Sequence, residues 1–300
     1  MQKKLLIAGG TGLIGSALKE HAISKGWQVT ILSRQAGHGR IKWDPSNGTI
    51  DLPAKMNFDA IINLAGTSVS DGRWTEKRKI EIYESRIKSC RTLENYLYDG
   101  RLNSQFYLGA SGVGFYGDRG ISEVNEKTQV KVKDWFTGIV LDWEEGHQRI
   151  AALEIRTVIF RIGIVLSQKG GALKEMLHAS RFGVLAYFGS GRQIWSWIHI
   201  DDLIAIMFHC INQPYTHGVY LGTAPGPVSN KTLIRAIHDY MTPKKIMVGV
   251  PRFVMALILG EIHRVLFDSC DAKPKKLLKE GFQFRFPSIQ EAIKGLASGI

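Results

Sequence analysis

Three glycines with a spacing of three residues, Gly9, Gly12 and Gly15, follow a short apolar segment near the start of the chain. In a turn from strand to helix, Gly9 permits a sharp bend, Gly12 lets backbone approach a pyrophosphate, and Gly15 lets the helix pack on the strand. The N–H groups at the N-terminus of that helix attract phosphate. A glycine-rich turn without a ligand is the alternative, but a preceding strand and a following helix are the context of a nucleotide site. We therefore predict a dinucleotide site formed by Gly9, Thr11, Gly12, Leu13, Ile14 and Gly15.

The end of the second predicted strand indicates which dinucleotide binds. Sites for NAD carry Asp or Glu about 20 residues past the glycines, where the carboxylate binds the ribose 2′-hydroxyl. This chain has Ser33 and Arg34 at that place. A guanidinium and a hydroxyl complement a 2′-phosphate, and a hydrogen bond to a charged group contributes about 1.5–3 kcal/mol. The sequence therefore predicts NADP as the cofactor, with a solvated loop residue as the alternative for Arg34.

The elements that position these residues follow from the apolar patterns along the chain. Gly26 is expected to end the first helix, and Ser229 to cap the last predicted one. Strands that alternate with helices predict an α/β fold with a doubly wound, parallel Rossmann sheet. The predicted strands are residues 4–8, 29–32, 41–43, 60–64, 105–110 and 157–164, and the predicted helices are 13–25, 77–98, 135–152 and 231–241.

The pattern loosens after residue 165, where glycine and proline interrupt shorter elements. We predict an NADP-binding Rossmann domain over residues 1–165, to which residues 195–225 return. Residues 166–194 and 226–300 are predicted to form a smaller C-terminal α/β substrate domain, which includes a C-terminal module at 248–297. Substrates bind outside the carboxyl ends of the strands, so this domain is expected to cover the ligand crevice.

Composition and charge narrow the classes of partner. The chain has 300 residues, of which 44% are hydrophobic and 22% charged, as in an ordinary globular protein. A net charge of +12 suits nucleic acid or an anionic membrane, but the densest basic cluster, residues 273–279, has the spacing of a solvated helix face. No zinc finger, RNP motif or heptad run accompanies the charge. We expect a small-molecule substrate, no nucleic-acid or membrane partner, and a monomer or homodimer.

The cysteines and the apolar segments bear on the compartment. Cys90, Cys210 and Cys270 are far apart and lack CxxC spacing, which argues for a reducing compartment and against a disulfide framework or a zinc site. No apolar segment approaches the roughly 18 residues that span a bilayer, and residues 254–259 have the length of a core helix. We expect a cytoplasmic protein without a metal site.

Short motifs are spread along almost the whole chain. Together they resemble the epimerase-family subgroup of extended, atypical short-chain dehydrogenase/reductases (SDR). The resemblance implies an extended SDR fold and NADP-dependent oxidoreductase or epimerase chemistry. The motifs are residues 9–15, 33–34, 63–66, 73–74, 85–86, 111–117, 143–144, 161–166, 170–171, 189–193, 197–202, 274–277 and 281–284.

The resemblance implies further contacts with the cofactor and with a substrate. The stretch after the fourth strand is similar to an N-x-A-G element whose backbone lines the adenine ribose and pyrophosphate. An arginine on the next helix can reach a cofactor phosphate or a carboxylate, with a surface arginine as the alternative. A later loop is expected to lie over the substrate and to offer an arginine to an anionic group. The implied cofactor residues are Asn63, Leu64, Ala65, Gly66, Glu81, Arg86 and Ile164, and the implied substrate residues are Arg192 and Gln193.

The catalytic pair of the superfamily is where the chain departs from the pattern. SDR enzymes use a tyrosine base whose pKa is lowered by a lysine four residues later, and a serine or threonine that holds the substrate oxygen. Ser111 resembles that serine. Phe136 and Val140 stand where the tyrosine and lysine belong, and neither exchanges a proton. Tyr116 is a second catalytic candidate, with a substrate-contact or packing tyrosine as its alternative.

Two functions of different classes stay open. The first is an NADP-dependent oxidoreductase or epimerase that acts on a small or nucleotide-linked carbonyl compound, with Ser111 and Tyr116 at the substrate oxygen. The second is an NADP(H)-binding sensor or regulatory protein without turnover. The glycine turn supports both, Ser111 favours the first, and the absent Tyr-x-x-x-Lys pair favours the second. His199, in an apolar stretch before two aspartates, is expected to be a core histidine.

Overall fold

The structure is a computed structural model that describes residues 2–130 and 134–299. Its strands are β1 (Lys4–Ala8), β2 (Gln28–Ser33), β3 (Arg40–Asp44), β4 (Thr49–Ile50), β5 (Met56–Phe58), β6 (Ala60–Asn63), β7 (Leu102–Ser104), β8 (Phe106–Gly112), β9 (Glu123–Val124), β10 (Arg156–Ile162), β11 (Ile164–Leu166), β12 (Val184–Phe188), β13 (Ile194–Trp195), β14 (Trp197–His199), β15 (Gly218–Gly222), β16 (Val228–Ser229), β17 (Ile246–Val250) and β18 (Asp271–Ala272).

The α-helices alternate with these strands. They are α1 (Leu13–Ser24), α2 (Glu76–Tyr98), α3 (Trp135–Ala151), α4 (Gly171–Ala179), α5 (Ile200–Asn212), α6 (Asn230–Met241), α7 (Arg252–Leu259), α8 (His263–Phe267), α9 (Lys275–Lys279) and α10 (Ile289–Ala297). Short 3₁₀ turns lie at Val113–Tyr116, Ser180–Phe182 and Gly260–Ile262.

A central sheet with the order β15-β10-β8-β6-β1-β2-β3-β4 organises the molecule. Its neighbours are parallel, except that β3 and β4 are antiparallel. Strands such as β1 are almost continuously apolar because helices cover both faces of the sheet. The predicted α/β fold with a doubly wound parallel sheet is thus confirmed. The strand order reverses between β1 and β6, and a crevice opens at such a switch point beyond the carboxyl ends of the strands.

The predicted elements are present, and one of them is divided. The predicted strand 157–164 is interrupted at Gly163, where a Cβ would lie 2.6 Å from the backbone oxygen of Ser196. β11 consequently leaves the central sheet and pairs with β14. Gly26 adopts a positive φ of 80° after α1, and Ser229 Oγ accepts a hydrogen bond from Thr232 N (3.1 Å) at the start of α6, as predicted.

The C-terminal part has its own hydrophobic core between α4, α6, α10 and the strands beside them. β15 is hydrogen-bonded to β10, so the chain returns to the central sheet before it enters α6. Asp202 ties the C-terminal segment to α5, because its carboxylate accepts the N–H groups of Arg285 and Phe286 at 2.8 and 2.9 Å. The domain boundaries at residues 165, 194 and 225 stay a prediction.

Helix α7 and the basic cluster at residues 273–279 differ from what the sequence predicts for the surface. The segment 254–259 belongs to α7, which is not a core helix, because Phe253 and Leu257 are 75% and 76% exposed. Lys273 and Lys275 of the basic cluster are paired with Glu123 instead of being free in solvent. Within residues 2–130 and 134–299, no helix is long and apolar enough to cross a membrane.

Candidate functional site

The glycine turn after β1 is packed so tightly that two of its three positions exclude a side chain. Gly9 has a positive φ of 79°, and a Cβ there would lie 2.6 Å from the Leu64 backbone oxygen. A Cβ on Gly15 would lie 2.3 Å from the Gly9 oxygen. A Cβ on Gly12 would meet only the Gly9 oxygen, at 3.4 Å. The space in front of Gly12 is therefore open for a ligand, while Gly9 and Gly15 are fixed by packing.

The N-terminus of α1 points its backbone donors into this space. Gly12 is the N-cap residue and has no side chain to cap the helix, and the first turn carries no acidic residue. The N–H groups of the first turn lack partners within the helix, and the helix dipole makes this end positive. Thr11 is exposed, and Leu13 and Ile14 are half-buried, at this same end of the helix. The arrangement suits an anion such as a pyrophosphate.

Ser33 and Arg34 lie at the carboxyl end of β2, the strand next to β1. Ser33 is half-buried, and its Oγ accepts a hydrogen bond from Gln35 N (3.2 Å), which leaves the hydroxyl hydrogen free to donate. Arg34 is exposed. The fold thus places both side chains at the same edge of the sheet as the glycine turn.

Residues 63–66 after β6 form the opposite wall of the crevice. Asn63 is fully buried, so its side chain cannot contact a ligand; its Oδ1 accepts Ala65 N (3.1 Å), and its Nδ2 donates to Tyr107 Oη (3.2 Å). Its part is to hold the backbone of Leu64 and Ala65 against the glycine turn. The implied contact is therefore one that only the backbone of this stretch can make.

Arg86 of α2 is a buried cation without a counter-ion among the described residues. Its exposed fraction is 9%, and its Nη1 donates to the backbone oxygens of Thr67 (3.0 Å) and Ile82 (2.9 Å). A Cβ on Gly66 would lie 3.2 Å from its Cζ, so the glycine admits the guanidinium to the wall of the crevice. Burial, with a smaller contribution from the charge of Arg78, lowers the pKa of Arg86 to about 10. The group is still cationic at neutral pH and favours an anion nearby.

Glu81, one of the implied cofactor residues, is engaged in an ion pair. It is exposed on α2, and its carboxylate pairs with Arg78 (3.2 Å). Arg78 in turn donates to the backbone oxygen of Ser68 (2.8 Å). Glu81 thus has an ion-pair partner that helps to hold the loop before α2, and a carboxylate beside a phosphate would be repelled. We do not assign it a cofactor contact.

A buried network of four side chains lies at the carboxyl ends of β8 and β10, where Arg161 and Ser111 are paired. Ser111 Oγ donates to Glu144 Oε1 at 2.6 Å. Arg161 binds the same carboxylate with two bonds, Nε to Oε1 at 2.7 Å and Nη2 to Oε2 at 2.8 Å. Ser111, Glu144 and Arg161 are each at most 4% exposed. Glu144 and Arg161 lie within the sequence motifs but had no predicted role, because their pairing joins helix α3 to strand β10 and is visible only in the fold.

Tyr116 joins this network as a structural group. It is fully buried, its hydroxyl donates to the Asn125 backbone oxygen (2.8 Å), and it accepts from Arg161 Nη1 (2.9 Å). Burial raises the pKa of Tyr116 to about 12, even though Arg161 acts in the other direction. A phenol with these partners is a poor general base at neutral pH. The packing alternative therefore fits Tyr116 better than a catalytic role.

The positions of the missing tyrosine and lysine are filled by apolar packing. Phe136 stacks on Trp74, with ring centroids 5.4 Å apart, and a Cβ on Gly114 would lie 2.4 Å from the Phe136 ring. Val140 is 4% exposed and packs beside Phe115 and Tyr116. The helix face that would carry a Tyr-x-x-x-Lys pair therefore carries no group that exchanges protons.

The remaining candidates lie farther along the chain. Ile164 begins β11. Arg192 is exposed, as expected of a residue offered to an anion. Gln193 is less suited to a substrate contact, because its Nε2 donates to the backbone oxygens of Phe188 and Leu266 at 3.2 Å each. Gln193 thus joins the loop to α8.

His199 is a buried histidine, as expected, but it is also the N-cap residue of α5. Its Nδ1 accepts a hydrogen bond from Asp201 N (3.1 Å), and its ring lies 3.9 Å from that of Phe286. Burial lowers the pKa of His199 to about 4, so the ring is neutral at physiological pH. A cavity of about 1240 Å³ lies beside it, between α1, α5 and the C-terminal segment. Among residues 2–130 and 134–299, no cluster of His, Cys, Asp and Glu has a metal-binding arrangement.

Comparison with known proteins agrees with this geometry. A sequence model described as the NAD dependent epimerase/dehydratase family matches residues 5–220, and a model for a domain of unknown function (DUF1731) matches residues 250–296. The epimerase family protein SSP1921 of Staphylococcus saprophyticus is 34% identical, over 98% of this chain and 99% of that protein. The human epimerase family protein SDR39U1 is 30% identical, over 98% of this chain and 100% of that protein.

Two solved structures are similar to this one. The crystal structure of human SDR39U1 (isoform 2) with NADPH has a TM-score of 0.89 at 29% identity, and covers 99% of this chain and 100% of that chain. The UDP-glucose 4-epimerase of Thermus thermophilus in complex with NAD has a TM-score of 0.75 at 13% identity, with 99% and 98% covered. The second likeness shows the shared extended SDR fold alone.

The crowding at the glycine turn yields a stability prediction. Gly15→Ala is expected to destabilise the fold by about 2–3 kcal/mol, because the new methyl group meets backbone that cannot move aside. Gly12→Ala is the matched control and is expected to change stability by less than about 1 kcal/mol, since its Cβ faces open space. Urea unfolding followed by circular dichroism measures both. Equal stability of the two variants would contradict the conclusion that packing excludes a side chain at Gly15 but not at Gly12.

Proposed function

Because this chain belongs to the NAD-dependent epimerase/dehydratase family, we propose that it binds NADP(H) in the crevice beside the glycine turn. We further propose that it acts there as an NADP-dependent oxidoreductase or epimerase on a small or nucleotide-linked carbonyl or carbinol compound. The observation that carries the binding proposal is Arg86, a buried cation that has no counter-ion in residues 2–130 and 134–299 and lies against Gly66 at the wall of the crevice. A bound pyrophosphate supplies the missing anion.

Different residues of the crevice are proposed to bind different parts of the cofactor. The open space at Gly12 and the N–H groups of α1 suit the pyrophosphate on one side, and Arg86 suits it on the other. Arg34 and the free hydroxyl hydrogen of Ser33 suit a 2′-phosphate on the adenine ribose. The relative solved with NADPH supports NADP(H) over NAD(H).

NADP⁺, when bound, supplies the acceptor for a hydride from the substrate carbon. The chain must then remove the proton of the substrate hydroxyl without a tyrosine and a lysine. Ser111 is bonded through its hydrogen to Glu144, which leaves the Ser111 oxygen free to accept. We propose that the substrate proton passes to Ser111 Oγ while the Ser111 hydrogen passes to Glu144 Oε1. Carbonyl reduction runs along the same path in reverse.

Arg161 orients the carboxylate of this relay. Its two hydrogen bonds to Glu144 keep Oε1 facing Ser111. The same bonds fix the rotamer of Glu144, which keeps the serine in one orientation.

A sensor without turnover is the second candidate, and a specific observation favours it. Phe136 and Val140 occupy the acid/base positions with apolar packing, and the buried Ser111–Glu144–Arg161 cluster is also a stable structural arrangement. The two candidates differ in one measurement. Tight NADPH binding without hydride transfer, across panels of secondary alcohols with NADP⁺ and of aldehydes and ketones with NADPH, would favour the sensor.

Substitution of Arg86 is expected to change the affinity for NADPH without changing the stability of the fold. Arg86→Met is expected to weaken NADPH binding roughly ten- to hundredfold, because a charge-assisted hydrogen bond contributes about 1.5–3 kcal/mol. Stability without cofactor is expected to be retained, since the variant removes a buried charge that has no partner. NADPH fluorescence titration and thermal unfolding measure the two effects. Arg91→Met, on the exposed face of the same helix, is the control, and an equal loss of affinity there would refute the assignment.

The choice between the two dinucleotides has its own test at Arg34. Arg34→Asp is expected to lower the affinity for NADPH roughly ten- to hundredfold, because a carboxylate repels the 2′-phosphate that the guanidinium attracts. The affinity for NADH should be unchanged or higher. Titration of both cofactors against the same variant measures the ratio. If both affinities fall by the same factor, Arg34 does not contact the 2′-phosphate.

The proton relay is tested on a substrate that the panels identify. Ser111→Ala is expected to lower kcat about 10²- to 10⁴-fold with unchanged NADPH affinity, because it removes the group that takes the substrate proton. Thr92→Ala is the control, since it removes another buried hydroxyl, one bonded to the Lys88 backbone oxygen on α2. Stopped-flow hydride transfer and NADPH titration measure the two quantities. A full rate in Ser111→Ala would exclude the relay while leaving the binding proposal intact.

A further inference from the structure

The ribbon formed by β12 and β17 is apolar on both faces. The two strands are parallel, with Val184 paired with Ile246 and Ala186 paired with Val248. The inner face, which includes Leu185 and Met247, packs on the C-terminal core. Val184, Ala186, Ile246 and Val248 form the outer face, and Phe188, farther along it, is half-buried beside Phe267. A sheet with one face in solvent normally has polar side chains on that face, so this apolar outer face calls for a partner.

The exposure on this face is large and concentrated at one end of the ribbon. Phe182, just before β12, is 86% exposed, and Ile246 is 68% exposed. Val248 and Val184 follow with 40% and 38%. Single exposed apolar side chains are ordinary, but neighbouring ones that share a face mark an interaction surface.

Cations surround the same end. Because the strands are parallel, their first residues lie side by side, and Ile246 N donates to the Gly183 oxygen at 3.1 Å. Arg181 precedes one strand, and Lys244 and Lys245 precede the other. The nearest carboxylate along the chain to Lys244 and Lys245, that of Asp239, is 2.8 Å from His238 Nδ1, so it has a partner of its own. We call Arg181, Phe182, Val184, Lys244, Lys245, Ile246 and Val248 the ribbon patch.

We propose that the ribbon patch docks on an anionic lipid bilayer surface, with Phe182 and Ile246 at the depth of the acyl chains and the cations among the headgroups. Apolar side chains rimmed by Lys and Arg are the combination that such a surface binds. A symmetric pairing of two copies would place the same cations opposite each other, which disfavours self-association. The proposal replaces the expectation from the sequence that the chain has no membrane partner.

Sedimentation of the full chain with vesicles tests this. The protein is expected to bind vesicles of phosphatidylcholine mixed with phosphatidylserine, to bind pure phosphatidylcholine weakly, and to be released by high salt. The variant Lys244→Glu with Lys245→Glu is expected to lower the partition coefficient about 25-fold or more, since each cation near an anionic surface contributes about fivefold. Phe182→Ser with Ile246→Ser should also lower binding.

Matched controls separate the patch from net charge and from general hydrophobicity. Lys77→Glu with Arg91→Glu makes the same change of charge at exposed positions of α2, and Ile121→Ser removes an apolar side chain that is 93% exposed elsewhere. Both are expected to bind within about twofold of the wild type. The proposal is overturned if phosphatidylserine vesicles do not bind, or if the controls lose binding equally. It is also overturned if gel filtration shows a dimer that Phe182→Ser with Ile246→Ser dissociates, or if the patch binds an acidic protein but no vesicles.

Discussion

The approach of the glycine turn to the backbone of Leu64 and Ala65 is the constraint on which the rest of the site depends. A Cβ on Gly9 or Gly15 would fall within 3 Å of backbone atoms. This closeness joins the ends of β1 and β6 at the switch point of the sheet, and Asn63 holds the second strand end in place from below. The crevice exists because both walls are backbone. Only Gly12 faces open space, and that is where the donors of α1 are aimed.

Two buried arginines near the crevice, Arg86 and Arg161, differ in whether a carboxylate neutralises their charge. Arg161 is matched by Glu144 with two bonds, which join β10 to α3 and orient the carboxylate toward Ser111. Arg86 is also buried, but among the described residues its hydrogen-bond partners are backbone oxygens alone, and its Cζ lies 4.8 Å from the centre of the Trp143 ring. A folded chain tolerates an unmatched buried cation when a ligand completes it. The difference in partners, and not the burial, identifies the ligand side.

The sequence predicts the fold and the glycine turn well, because these depend on local patterns. The alternation of strands and helices, the end of α1 at Gly26 and the cap at Ser229 are all found. The sequence cannot tell Arg86 from Arg161, since what distinguishes them is a partner supplied by another element. It likewise cannot see that Asn63 and Gln193 turn their amides toward the protein, or that the outer face of the β12–β17 ribbon lacks a cover. Each of these depends on tertiary contacts.

The apolar filling of the acid/base positions limits what chemistry the crevice can perform. The Phe136 ring packs so closely on Gly114 that a Cβ at residue 114 would clash with it. The ring at position 136 therefore requires the glycine at position 114. A tyrosine–lysine pair lowers the proton affinity of a phenol near the substrate. In the relay that we propose, the proton instead moves through Ser111 to the Glu144 carboxylate, which Arg161 holds in one orientation. These three side chains are each at most 4% exposed, so the proposed path has little access to water. The cofactor side of the crevice thus keeps the pattern of the family, whereas the catalytic side departs from it.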